Sequence, residues 1–162
     1  MTQLDDYRRL GDAYAVGTYK RVLFTSVRKK VTVEDLQLLS RYGAEHTARC
    51  KDRVCSLSMS DVTIPMPDQE TRKIAARMMT ETAATSVGYA LVLEGEGFLA
   101  GTARAVGAAI GMLARGASPW KTFANVDDGA VWVTGLLGYP SVEARSLAAL
   151  AKELRKRHLA EP

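Results

Sequence analysis

Apolar and polar residues along the chain alternate in short runs and recur in longer helical stripes. Residues 13–16 and 22–27 form two β-rich runs, and in the second Val22, Phe24 and Ser26 alternate with Leu23, Thr25 and Val27. With Gly17 to Lys20 between them they predict an opening hairpin. Thr32 stands three residues before Asp35, the spacing of a capping box. Val33, Leu36, Leu39, Gly43, Thr47 and Cys50 then share one face at about 100° per residue. This predicts a helix over residues 32–51, with Cys50 turned inward and His46 at the edge of the buried stripe. Cys55, Leu57 and Met59 alternate with Ser56 and Ser58, predicting a third strand over 54–59 that the following Pro65-Met66-Pro67 cannot extend.

Pro67 and Asp68 suit the entry of a second helix, on which Thr71, Ile74, Ala75, Met78 and Thr82 share a stripe. Residues 87–93 are nearly all apolar, as in a strand covered on both faces. Gly95 and Gly97 break the chain into a third helix over 98–115, closed by Gly116 and Pro119. Residues 121–124 make a short strand, and Asp127 with Asp128 places negative charge at the start of a helix running to Leu137, with Trp132 on its inner side. A last helix covers 141–159. Strands and helices alternate, so the expected fold is α/β: one domain with a mixed sheet of four to five strands, opening on the hairpin and mostly parallel after it, flanked by helices. Residues 1–11 read as an N-terminal arm, 12–137 as the core and 141–159 as an added helix.

Charge and composition narrow the picture. Lys and Arg number 22 against 18 Asp and Glu, a net charge of only +4, and aromatics are 7% of the chain. That excess is too small and too poor in stacking rings to indicate nucleic acid. Residues 1–10 hold two Asp, two Arg and no apolar run, so no secretory signal is read there and the cytoplasm is the expected location. The most apolar window, 97–114, contains Arg104 and four glycines and reads as a buried helix rather than a membrane span. Two cysteines, Cys50 and Cys55, and two histidines, His46 and His158, fall short of a zinc set, and no metal is expected.

Candidate chemistry is sparse. Gly95-Glu96-Gly97-Phe98-Leu99-Ala100-Gly101 follows a strand and opens a helix, the context of a dinucleotide loop. Glu94 and Glu96 put negative charge where a pyrophosphate would sit, so the glycines read as a structural turn, no cofactor is expected, and a nucleotide-dependent oxidoreductase is the remote alternative. Gly101, Gly107 and Gly111 would let the third helix approach the sheet or a second subunit closely. Glu34 with Asp35, and Asp127 with Asp128, are explained by helix starts, and neither histidine is placed as a fixed base. The chain is therefore expected not to be an enzyme. Ser58, Ser60 and Thr63 lie in a hydroxyl-rich stretch read as a loop, a candidate phosphorylation switch. Met78, Met79, Phe98, Leu99 and Met112 would line a site for an apolar ligand or an anionic membrane.

Over residues 12–137 the order hairpin, helix, strand, helix, strand, helix, short strand, helix resembles the STAS / SpoIIAA-like family, which includes anti-anti-sigma regulators. The likeness is carried by Val92-Leu93-Glu94-Gly95-Glu96-Gly97-Phe98 leading to Arg104, and by Lys121-Thr122-Phe123 followed by Asp127-Asp128-Gly129-Ala130-Val131-Trp132. It implies a non-catalytic regulatory module that binds a protein partner or a second copy of itself. Family members switched by a kinase carry Asp-x-Ser-small after the third strand. This chain reads Ser58-Met59-Ser60-Asp61-Val62-Thr63, with the Asp after the Ser, and Ser60 is the nearest match. The terminal helix lies beyond the matched stretch, and its Leu147, Leu150 and Leu154 must dock on the sheet or pair across a dimer.

Overall fold

The computed structural model describes residues 2–114 and 116–162. Met1 and Arg115, the first residue of the predicted arm and the last of the predicted third helix, lie outside the described residues. The strands are β1 (Asp5–Leu10), β2 (Tyr14–Tyr19), β3 (Val22–Val27), β4 (Val54–Asp61), β5 (Ser86–Glu94) and β6 (Trp120–Phe123). The helices are α1 (Val33–Cys50), α2 (Gln69–Glu81), α3 (Gly97–Leu113), α4 (Val126–Leu137) and α5 (Glu143–Ala160). One mixed sheet runs in the order β1-β2-β3-β4-β5-β6, antiparallel through β3 and parallel from there on. The opening hairpin and the mainly parallel remainder agree with the sequence reading; the strand total is six rather than four to five.

The extra strand is β1, where residues 1–11 had been expected to form an arm. Its residues Asp-Asp-Tyr-Arg-Arg-Leu carry no apolar alternation, and side-chain pairing holds it instead. The Asp6 carboxylate accepts from Arg8 Nε (2.8 Å), Arg8 Nη2 (2.8 Å) and Arg49 Nη1 (2.7 Å), while Tyr42 Oη donates to the Asp6 carbonyl (3.0 Å). These guanidinium bonds hold the Asp6 carboxyl down at about 2.

Each parallel crossover steps to the next strand, so α1, α2 and α3 share one face while α4 and α5 cover the other. On the α4/α5 face Phe24, Leu57, Met59 and Val92 are fully buried together with Ala130, Val133, Leu147, Leu150 and Leu154. The three leucines of α5 thus close the core of their own chain, which removes them from a dimer interface. His158, in the last turn of α5, is also wholly buried, its Nδ1 3.0 Å from Ser26 Oγ. Trp132 faces inward against Phe123, ring centroids 5.7 Å apart, yet stays half-buried, so its burial is less complete than the helical stripe suggested.

The caps form as the sequence predicts. Thr32 Oγ1 accepts from Asp35 N–H (3.3 Å), and the Asp35 carboxylate accepts from Thr32 N–H (2.9 Å) and Thr32 Oγ1 (2.8 Å). Because Asp35 is buried, losing the threonine hydroxyl strands part of a carboxylate as well as an amide. Thr32→Ala is expected to lower the unfolding free energy by about 1–2 kcal/mol, and Thr32→Ser by only a few tenths, in urea titrations.

Candidate functional site

The two faces of the sheet are filled differently. Under α4 and α5 the side chains of β3, β4 and β5 interlock as a solid core. On the opposite face the alternate residues of the same strands border a cavity of about 570 Å³. Its floor is Leu23, Thr25 and Val27 of β3, Val54, Ser56, Ser58 and Ser60 of β4, and Tyr89, Leu91 and Leu93 of β5. Leu36, Leu39 and Gly43 of α1 form one wall, and Thr71, Ala75, Met78 and Met79 of α2 with its C-cap Thr82 form the roof.

Two local features create this space. First, β4 carries a row of serines on a central strand, where a side chain facing a packed helix is ordinarily large and apolar. Small hydroxyl side chains leave depth between strand and helix, and Thr25 Oγ1 satisfies Ser58 Oγ at 2.6 Å. Second, α2 rests mainly on α1 and α3 instead of on the strands. Ala76 and Met79 anchor it to Ile110 of α3 and to Ala114, the C-cap of α3, while its Ala75 and Met78 reach toward Leu36 and Leu39. Of the stripe read from the sequence, Thr71, Ala75, Met78 and Thr82 therefore form the cavity's roof.

Hydroxyls of Thr25, Ser56 and Ser58 run along the floor, while the unpartnered and the charged groups sit at the two ends. Ser86 Oγ is buried at the start of β5 and Trp120 Nε1 lies beneath α3; neither has a hydrogen-bond partner among the described residues. At the opposite end, where β3 and β4 finish, Lys29 and Arg72 reach the opening. Tyr14, also in the lining, has its phenol pushed up strongly by burial, which keeps it neutral.

The predicted site residues fall into three groups. Ser58 and Ser60 belong to β4, which runs through Asp61, so they are strand residues facing the cavity and not members of a loop. Only Thr63 lies in a turn, donating from its N–H (2.8 Å) and Oγ1 (2.7 Å) to Asp61 Oδ1. Met78 and Met79 do line the cavity, whereas Phe98, Leu99 and Met112 are 89%, 63% and 76% exposed and point away from it. Of the three glycines proposed as an interface, Gly107 and Gly111 face the chain's own sheet: a Cβ at Gly107 would stand 3.0 Å from Thr122 Cγ2, and one at Gly111 would meet the Trp120 indole. Gly101 alone opens to space.

The Gly95 turn is a backbone device. Gly95 has φ +137°, a Cβ there would overlap Val62, and Arg104 Nη2 donates to the Leu93 (3.2 Å) and Gly95 (2.7 Å) carbonyls. Cys50 Sγ lies 3.7 Å and 3.6 Å from the two ring nitrogens of His46. Burial pushes the Cys50 thiol up and the His46 ring down, so both stay neutral and the pair is not an activated thiolate. Cys55 is pushed up to about 12 by burial. No group of three or more metal-ligating side chains occurs among the described residues, and no helix among them is long and apolar enough to cross a membrane.

Comparisons of the chain with protein-family models, with curated proteins and with solved structures find no match.

Proposed function

We propose that the domain is a non-catalytic ligand-binding module of STAS / SpoIIAA-like organisation that takes an apolar ligand between its sheet and α1–α3. The cavity carries this reading. Its volume, about 570 Å³, lies within the roughly 300–1,000 Å³ typical of small-molecule sites. Its composition matches as well: aliphatic, Met and aromatic side chains supply most of the walls, and Ser and Thr hydroxyls are set among them. Buried polar atoms left without partners at Ser86 and Trp120 support it, since such atoms ordinarily find one.

Titration with Nile red, a neutral apolar fluorophore, tests the reading. The natural chain is expected to bind it with a blue-shifted, saturable signal. Ala75→Trp fills the cavity from the roof and is expected to weaken binding at least about tenfold with the circular dichroism spectrum unchanged. No saturable binding, or equal binding by the filled variant, would count against the reading.

A second reading, a surface presented to a protein partner or to another copy in a regulatory pathway, is favoured by α3. Phe98, Leu99, Met112 and Leu113 are all more than 60% exposed on that helix. Its self-association form predicts concentration-dependent sedimentation that Leu99→Glu abolishes. A monomer at every concentration would remove that form.

A further inference from the structure

We infer that the ligand of this cavity is a long-chain amphiphile with one anionic head, its head at Lys29 and Arg72 and its tail lying along β4 beneath α2; this rests on the ligand-binding reading above. The charge distribution is one-sided. Among the described residues no Asp or Glu lines the cavity, and the charged side chains that do are Lys29, just past the end of β3, and Arg72, in the first turn of α2. They come from different elements yet meet at the same opening. Neither has an ion-pair partner among the described residues.

The nearby carboxylate, Asp68, feels the charge of Arg72 but forms no ion pair with Arg72 or Lys29. Asp68 accepts the Thr71 N–H at 2.9 Å as the cap of α2, and its other oxygen lies 3.8 Å from Lys30. That backbone hydrogen bond is the main reason its carboxyl is held below the usual range. Two cations at the rim of an apolar slot fit a carboxylate or phosphate ester better than a neutral head.

The slot also has a direction. From Ser60 near the cationic end to Val54 at the other, β4 spans about 20 Å at roughly 3.3 Å per residue. The floor along that length is Ser60, Ser58, Ser56 and Val54, and the roof is Thr71, Ala75, Met78 and Thr82. A compact polar metabolite would leave most of this surface uncovered, whereas an extended tail covers it.

The test is displacement of Nile red by four probes sharing one tail: hexadecanoate, hexadecyl phosphate, hexadecanol and methyl hexadecanoate. At least one anion is expected to displace the dye about tenfold more tightly than the two neutral probes, and the tighter anion distinguishes a carboxylate from a phosphate source. The preference should shrink as salt rises. Lys29→Glu with Arg72→Glu is expected to abolish the preference for the anions while hexadecanol and the dye still bind saturably; if that double variant does not fold, Lys29→Gln with Arg72→Gln makes the same comparison. Equal displacement by charged and neutral probes, or a preference that survives charge removal, overturns the anionic head while dye binding keeps the cavity reading intact. Absence of dye binding by the natural chain overturns both.

Discussion

Leu154→Ala is expected to lower the unfolding free energy by about 3–5 kcal/mol, at the upper end of what leucine truncation costs. Leu154 has no exposed surface and sits in the cluster that joins α5 to Phe24, Leu57 and Val92. Little can collapse into the vacated volume. On one side lies Gly17 of β2, so close that an added Cβ would stand 3.2 Å from Leu154 Cδ1, and β2 is fixed there by pairing on both edges. A rigid sheet under a long helix keeps the void open, and the residual void is what raises the cost above simple transfer. Urea denaturation reads the effect, with Lys156→Ala, on the exposed side of α5, expected within about 0.5 kcal/mol of the natural chain. A loss below about 1 kcal/mol with an altered oligomeric state would mean that the α5 leucines pack on another copy, contrary to the arrangement described above.

The parts of this fold that were legible in the sequence are those whose burial is one-sided or whose ends are capped. Thr32 with Asp35, Asp68 and Asn125 each accept from the backbone N–H three residues on, and the helices they begin lie within a residue or two of where periodicity places them. β1 was not legible. It is tied down by Arg49 donating to Asp6 and by Tyr7 Oη donating to Glu161 at 2.9 Å, contacts between residues far apart in the chain that no local pattern announces. The cavity was half legible. Met78 and Met79 were identified as lining, but Ser56, Ser58 and Ser60 carry the same alternation whether a strand faces water or a ligand space. Only the position of β4 in the middle of the sheet distinguishes the two. Phe98, Leu99 and Met112 misled because an apolar residue on a helix is ordinarily read as inward-facing, and α3 turns its Ala100, Ala103, Gly107 and Ile110 inward instead.

Stability should fall by about 3 kcal/mol as the pH drops from about 6.5 to about 4, and His158 is the group responsible. Its ring is fully buried, and the imidazole is pushed down to about 4. Burial is the largest cause, followed by the positive charge of Arg28 and then Arg9; Glu161 pulls the other way and Arg155 adds to the depression. The geometry agrees: Nδ1 is 3.0 Å from Ser26 Oγ, and Nε2 has no partner among the described residues, so a second ring proton would have nowhere to bond. The sign follows directly. The unfolded chain takes up a proton near about pH 6.5, and the folded chain refuses it until about pH 4, so stability is complete above the first value and declines through the interval to the second. The 2.5-unit gap at about 1.36 kcal/mol per unit gives the expected drop. His46, also pushed down, by burial first and then by Arg49, adds to the same slope, whereas Asp6, held near 2, contributes only at lower pH. Urea titrations at intervals across this range should show the decline in the natural chain and a much flatter profile in His158→Gln, which sacrifices packing at every pH but has no ring to titrate. A natural chain equally stable at both ends of the interval would show that its histidines are hydrated and protonate freely, which the buried Ser26–His158 contact forbids.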